Sequence, residues 1–427
     1  MNYPEAIQYL QSLQVFGARP GLDAIRALAS RAGNPQENLR FIHVAGTNGK
    51  GSVCAMIESM LRAAGWKTGL FTSPHLVAFG ERIQVNRIPL SEPGIVRSIE
   101  FLRPLAEQLP EGLHPTLFEL ATVMALREFA EQECDVVIWE TGLGGRLDAT
   151  NIVLPLVSVI TNVQFDHEQW LGNTHAQIAA EKAGIIKPGV PVITAADEPE
   201  ALEVIRSACE RHRSTCTRVT GDDAARPPLD TVKLPLLGEH QKLNAAVALE
   251  TVRAIAGRFP VDDPACRRGL ESVHWPGRLQ LITRPSGGRV LLDAAHNPAG
   301  MERLRTALEQ HFPGERPVVI LGALEDKNWD AMCRLIAPLG SGVHLVPVAS
   351  MRTASPTAMA GVCREAGSGM GIHAHASLDD ALRMTAAEPF VLITGSLYLV
   401  GEALEHLGQS PALGADERSL NEWSTTR

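Results

Sequence analysis

Hydrophobic positions along this chain fall into two periods that alternate. Ala6, Tyr9, Leu10 and Leu13 make one stripe at helical spacing, and Leu22, Ile25 and Leu28 make the next, which predicts helices over residues 3–14 and 22–32. A short apolar, β-branched run, Phe41, Ile42, Val44 and Ala45, reads as a buried strand, and Val53, Met56, Ile57, Met60 and Leu61 then return to helical spacing. Strands are expected at 68–71, 135–140 and 156–160, with helices over 92–109 and 116–132. Residues 213–235 are Pro-rich and irregular, and a helix of small residues follows residue 237. Beyond residue 288 the alternation restarts, with strands at 290–293, 318–321, 343–346, 372–375 and 390–394. Helices over 298–311, 328–338, 355–366, 378–387 and 397–407 lie among them. Such alternation predicts mostly parallel sheets wrapped by helices. Arg284 to Gly288 has the composition of a hinge, so the expected domains are 1–284 and 289–427. The tail from residue 408 is polar and reads as loose.

Composition narrows the setting. The chain has 427 residues, 45% hydrophobic and 20% charged, as in ordinary globular proteins of two or three domains. A formal charge of −9 argues against a nucleic-acid partner. Seven scattered cysteines without a Cys-x-x-Cys pair suggest neither a zinc site nor a disulfide framework, and read as reduced thiols of a cytoplasmic protein. The first residues lack a signal-peptide pattern, and no stretch is long and apolar enough to span a bilayer.

Chemistry concentrates at the strand ends. Gly46, Thr47, Asn48, Gly49, Lys50, Gly51 and Ser52 join the first strand to its helix. A Gly-rich turn there lets backbone N–H groups approach phosphates, and the helix N-terminus adds partial positive charge. Lys50 is placed to reach the β- and γ-phosphates of a nucleotide, and Ser52 to help hold Mg²⁺. The match to the common phosphate-loop pattern is imperfect, because Val44 occupies its first Gly position and Gly51 separates the lysine from the serine. Ser73 follows the second strand in a Ser-Pro-His turn, and Glu140 ends the third. A loop rich in glycine follows Glu140 and carries Arg146 and Asp148, and Asp166 and His167 follow a fourth strand. In open α/β sheets these carboxyl ends are where ligands bind.

The loop Gly46 to Ser52 resembles that of the Mur ligase superfamily, and within it the folylpolyglutamate synthases and bifunctional dihydrofolate synthases. The resemblance extends through Ser73-Pro-His, Thr116-Leu-Phe118-Glu119, Glu140 with its Gly-rich loop, Glu181-Lys182-Ala-Gly, His240 to Asn244, Asp293 to Pro298 and Gly395-Ser396. It implies a Mur-ligase-like α/β fold, with an N-terminal phosphate-loop ATPase domain and a smaller Rossmann-like domain. It implies ATP contacts from the loop residues 47–52, from Asn244 at the adenine, and from Arg278 and Asp293. Mg²⁺ would sit on Ser52, Ser73, Glu140 and His167, although imidazole is an unusual Mg²⁺ ligand. Lys182 would carry a carbamate, and Lys50, His167 and Lys182 would be catalytic. The folate side would be lined by Ala18, Arg19, Pro20, Thr116, Phe118, Glu119, Arg146 and Asp148, and glutamate would meet His296 and Ser396.

Plainer readings stand beside several of these. The stretch 16–21 also suits a helix connector, Phe118 suits the core, and Asn297 and Ser396 suit helix N-caps. The activity implied is ATP-driven addition of L-glutamate to folates through an acyl phosphate, with dihydropteroate as a second acceptor. The alternatives are folate extension alone, or a phosphate-loop switch protein that binds ATP without an amino-acid substrate. A cell-wall ligase would need a further domain ahead of the loop, and only 45 residues precede Gly46. The protein is expected to act as a monomer.

Overall fold

The computed structural model describes residues 1–17, 21–285, 287–367, 369–410 and 417–422. The expected folate-side residues Ala18, Arg19 and Pro20 lie outside them. Two sheets organise the chain. The first contains β1 (Phe41–Ala45), β2 (Thr68–Phe71), β3 (Ile83–Val85), β4 (Ile88–Pro89), β5 (Val136–Glu140), β6 (Pro155–Ile160), β7 (Val192–Thr194) and β8 (Cys216–Arg218). Their order is β4-β3-β2-β5-β1-β6-β7-β8. β1 is central and parallel to both β5 and β6, and Val44 lies level with Glu140. The short hairpin β3–β4 is the antiparallel edge. β1, β2 and β5 are buried throughout, which explains their unbroken apolar runs.

The second sheet is formed by β9 (Gln280–Thr283), β10 (Arg289–Asp293), β11 (Val318–Leu321), β12 (Gly342–Leu345), β13 (Gly371–Ala374) and β14 (Phe390–Thr394), in the order β13-β12-β11-β14-β10-β9. Only β9 runs antiparallel. The stretch expected to be a hinge is instead the turn of the β9–β10 hairpin, closed by Arg284 N–H to Gly288 O at 2.7 Å. The second sheet therefore begins at Gln280, ahead of the expected boundary at 284. A 3–5-residue Gly-containing turn serves a hairpin as well as a hinge, and residues 280–283 are too few and too exposed to show a strand period.

The tail also departs from expectation. Residues 418–421 form a 3₁₀ turn, and Leu420, 1% exposed, packs in the same core cluster as Leu13, Phe79 and Leu117. Gln11 Nε2 donates to Ser419 Oγ at 3.0 Å and Gln14 Nε2 to Glu422 O at 2.9 Å. One apolar side chain among polar neighbours gives no periodic signal, so the return of the chain to its own N-terminal helix was not legible. Among the described residues no helix is long and apolar enough to cross a membrane.

Candidate functional site

The carboxyl ends of both sheets face one cavity of about 630 Å³. Every expected site residue among the described ones lines it: residues 47–52, Ser73, Thr116, Phe118, Glu119, Glu140, Arg146, Asp148, His167, Lys182, Asn244, Arg278, Asp293, His296 and Ser396.

The phosphate loop is built by close approaches. A Cβ on Gly46 would lie 1.8 Å from Thr161 Oγ1, and Gly49 adopts φ +85° as the N-cap of the helix Lys50–Ala63. Gly51, the insertion between lysine and serine, has a packing reason, since a Cβ there would lie 2.8 Å from Trp275 Cζ2. Lys50 Nζ curls over the loop, donating to Gly46 O at 3.1 Å and Thr47 O at 3.3 Å. Asn244 stands against the same loop, with its Oδ1 2.7 Å from where a Cβ on Gly49 would be. Its Nδ2 donates to Gln241 Oε1 at 3.0 Å.

Glu140 is 4% exposed, and its Oε2 accepts the Ser73 N–H at 3.0 Å. Burial pushes its carboxyl up to about 7, against the pull of the Lys50 charge. Lys182 is 2% exposed at the end of the helix His175–Ala183. Burial and then repulsion from Lys50 lower its amine to about 7. Two groups of opposite charge type are thus brought close to neutral pH, beside one phosphate loop.

Asp166 is the hub between the sheets. Its Oδ1 accepts from Lys327 Nζ at 2.6 Å, its Oδ2 accepts from Asn297 Nδ2 at 3.1 Å, and His296 Nε2 stands 3.6 Å from Oδ2. Burial alone would raise this carboxyl, but the neighbouring His296 and the Lys327 ammonium hold it far below the usual carboxylate range. His167, 3.8 Å from Asp166 and 3.4 Å from Lys327 Nζ, is lowered to about 3, mainly by burial, and is a neutral imidazole. Its Nε2 lone pair faces the Lys327 ammonium. Asn297 is both an N-cap, accepting from Gly300 N–H at 2.8 Å, and a bridge to Asn48 Oδ1 at 3.2 Å in the first sheet's loop. Ser396 caps its helix through Tyr398 N–H at 3.2 Å. Asp293 spends its oxygens on the N–H groups of Leu279 and Ala295, both at 2.9 Å, and braces the turns that carry Arg278 and His296.

On the acceptor side the expected residues divide. Thr116 and Glu119 form a capping box for the helix Leu117–Glu131, and Asp148 takes the N–H of Leu143 at 2.7 Å and of Thr150 at 3.0 Å. These three hold the loops in place. Phe118 lies over Gly142, where a Cβ would be 2.6 Å from its Cζ, and Arg146 pairs with Glu181 at 2.8 Å on a half-exposed rim. Lys327, Arg82, Arg352 and the tail residues Leu420 to Glu422 also line the cavity, and the sequence reading missed them. Lys327 follows Glu325-Asp326 in a loop after β11, and its place at a strand end was the one signal available.

Comparison with known proteins agrees with this arrangement. Residues 44–252 match the Mur ligase middle domain, and residues 277–397 match the Mur ligase glutamate ligase domain. The dihydrofolate synthase/folylpolyglutamate synthase of Bacillus subtilis is 36% identical over 95% of this chain and 99% of its own. The folylpolyglutamate synthase of Lacticaseibacillus casei is 34% identical over the same shares, 95% and 99%. The structure of Mycobacterium tuberculosis folylpolyglutamate synthase complexed with ADP and AMPPCP superposes with a TM-score of 0.87 at 32% identity, covering 96% of this chain and all of that one. On these grounds the chain belongs to the Mur ligase family, in its folylpolyglutamate synthase/dihydrofolate synthase branch.

Proposed function

We propose that this protein is an ATP-dependent ligase that joins L-glutamate to a folate carboxylate. The observation that carries the reading is one cavity in which a phosphate loop and Asp166 of the first sheet face Lys327 and His296 of the second. A carboxylate is a poor electrophile because it has no usable leaving group. Transfer of the γ-phosphoryl group of ATP makes an acyl phosphate, the glutamate amine attacks it, and phosphate leaves from the tetrahedral intermediate. Lys50 and the loop N–H groups neutralise charge on the transferring group. Asn244 and Arg278 hold the nucleotide, while His296, Ser396 and Lys327 face the incoming amino acid. Because groups from both sheets surround the acyl phosphate, water is kept from it.

The donor set suits Mg²⁺. Ser52 and Ser73 supply hydroxyl oxygens and Glu140 a carboxylate already oriented by Ser73 N–H, and hard oxygens are what this ion prefers. Bound there, Mg²⁺ would offset phosphate charge. Among the described residues no three His, Cys, Asp or Glu side chains gather as a metal site, and a cation on His167 would have to displace Lys327. The Lys182 amine, buried and lowered to about 7, is partly neutral at physiological pH, the form that carbamate formation requires. The name of the Bacillus subtilis relative supports dihydropteroate as a second acceptor, and that of the Lacticaseibacillus casei relative supports folate extension alone.

The test is ADP release by purified protein with ATP and Mg²⁺. Release requiring both glutamate and a folate is expected. Equal release without either substrate would identify an ATPase or switch. Adding dihydropteroate in place of folate decides the second activity.

A further inference from the structure

The structure assigns Arg82, held by the returning C-terminal segment, as the residue that recognises the acceptor's second, non-reacting carboxylate. This inference rests on the ligase reading above. Arg82 is 5% exposed, yet it lines the cavity. Its bonds go only to neutral acceptors: His75 Nδ1 at 2.8 Å, Asn421 Oδ1 at 2.6 Å and Leu420 O at 3.4 Å. Among the described residues it makes no ion pair. The nearby carboxylates are committed elsewhere. Glu81 accepts the N–H groups of Leu76, Val77 and Ala78, and Glu417 accepts that of Phe79. Burial lowers the guanidinium only to about 10, so it stays cationic at neutral pH. A buried cation without an ion-pair partner is costly, and a carboxylate entering the cavity would supply one at Nη1, the guanidinium nitrogen left over by these three bonds.

Long-range contacts fix the guanidinium in place. His75 Nε2 must carry the proton it donates to Glu417 O at 2.8 Å, which leaves Nδ1 to accept from Arg82 Nε. Asn421 closes the ring, taking Arg82 on its oxygen and donating Nδ2–H to His75 O at 3.0 Å. Glu422 continues to Arg352 of the second domain at 3.2 Å. His75 lies two positions after Ser73, whose N–H holds Glu140. The Arg82 ring and the phosphate-transfer end are therefore joined by one short turn. A glutamyl acceptor carries two carboxylates a few bonds apart. With the distal one activated beside Glu140 and Lys50, Arg82 in the same cavity would take the other.

The test compares two acceptors: tetrahydrofolate, and an analogue with 4-aminobutyrate in place of glutamate, which keeps the distal carboxylate and lacks the other. Wild-type kcat/KM should favour tetrahydrofolate by about ten- to a hundred-fold, the range of a charge-assisted hydrogen bond. Arg82→Gln should raise the tetrahydrofolate KM and remove the gap between acceptors, with KM for ATP and far-ultraviolet dichroism unchanged. Asn421→Ala, which keeps the guanidinium and removes its anchor, should narrow the gap, and it stands in if Arg82→Gln does not fold. Equal use of both acceptors by the wild type overturns the assignment, as does a gap that persists in Arg82→Gln. A wild type that releases no ADP with either acceptor would instead sink the ligase reading itself.

Discussion

The two ends of the cavity are built differently. The phosphate end is local: seven consecutive residues, Gly46 to Ser52, form it on a central strand, and Glu140 is added from the adjacent strand at matched register. The end proposed for the acceptor is lined by Gln14, Arg82, Phe118, Arg146, Arg352 and Asn421, six residues spread over almost the whole chain. A loop that must cradle phosphate with its own backbone N–H groups needs its glycines and lysine adjacent, so it leaves a motif. A wall that recognises an organic acceptor needs only side chains that meet in space.

The largest effect should come from the local end. Lys50→Ala is expected to lower ADP release by at least about a hundred-fold, the scale of losing a preorganised charge at the reacting group. Far-ultraviolet dichroism and acceptor binding by fluorescence quenching should stay unchanged. If ADP release is instead near normal, the contrast between a chemical end and a recognition end collapses.

Lys182 sharpens the same end. Lys182→Ala should lose nearly all activity and regain part of it with added acetate or formate, which replace the missing anion. Since carbamylation needs the neutral amine, wild-type activity at fixed bicarbonate should rise with pH through about 7. Detection of an unmodified amine by mass spectrometry or density in a fully active sample at pH 8 would remove the carbamate.

Glu140 tests the cost of preorganisation. Its carboxyl titrates near 7 in the folded protein and near 4.5 unfolded, so between these values the native state holds more protons. Stability should then fall as pH rises from 4.5 to 7, by on the order of 1–3 kcal/mol in the absence of Mg²⁺. Glu140→Gln should flatten that slope in thermal melts while abolishing synthesis. A slope unchanged by the substitution would place the titration elsewhere.

The smallest effect is expected at the rim. Arg146 is half exposed and pairs with Glu181, so Arg146→Ala should change stability by less than about 1 kcal/mol. A larger loss in melting experiments would mean that the acceptor end, like the phosphate end, depends on a single local pair.

Much of the architecture was legible because it is periodic or local. Buried parallel strands produce unbroken apolar runs, as at β5 and β14, and helices produce stripes, so the alternation of both domains could be read directly. Residues at strand ends, Ser73, Glu140, His167 and Asp293, could be marked by position together with the family resemblance, and the structure brings them to one cavity. The chain by itself also shows why Gly49 is needed, at the turn into the helix. It could not show why Gly51 is needed, because the reason is Trp275, 224 positions away in sequence. Nor could it show that Asp166 pairs with Lys327, that Asn297 serves both as a cap and as a bridge between sheets, or that Leu420 carries the tail back to the core. Those are pairings across long loops. Each side chain in them is ordinary in its own neighbourhood, and only packing decides which distant partner satisfies its charge, its hydrogen bond or its apolar surface.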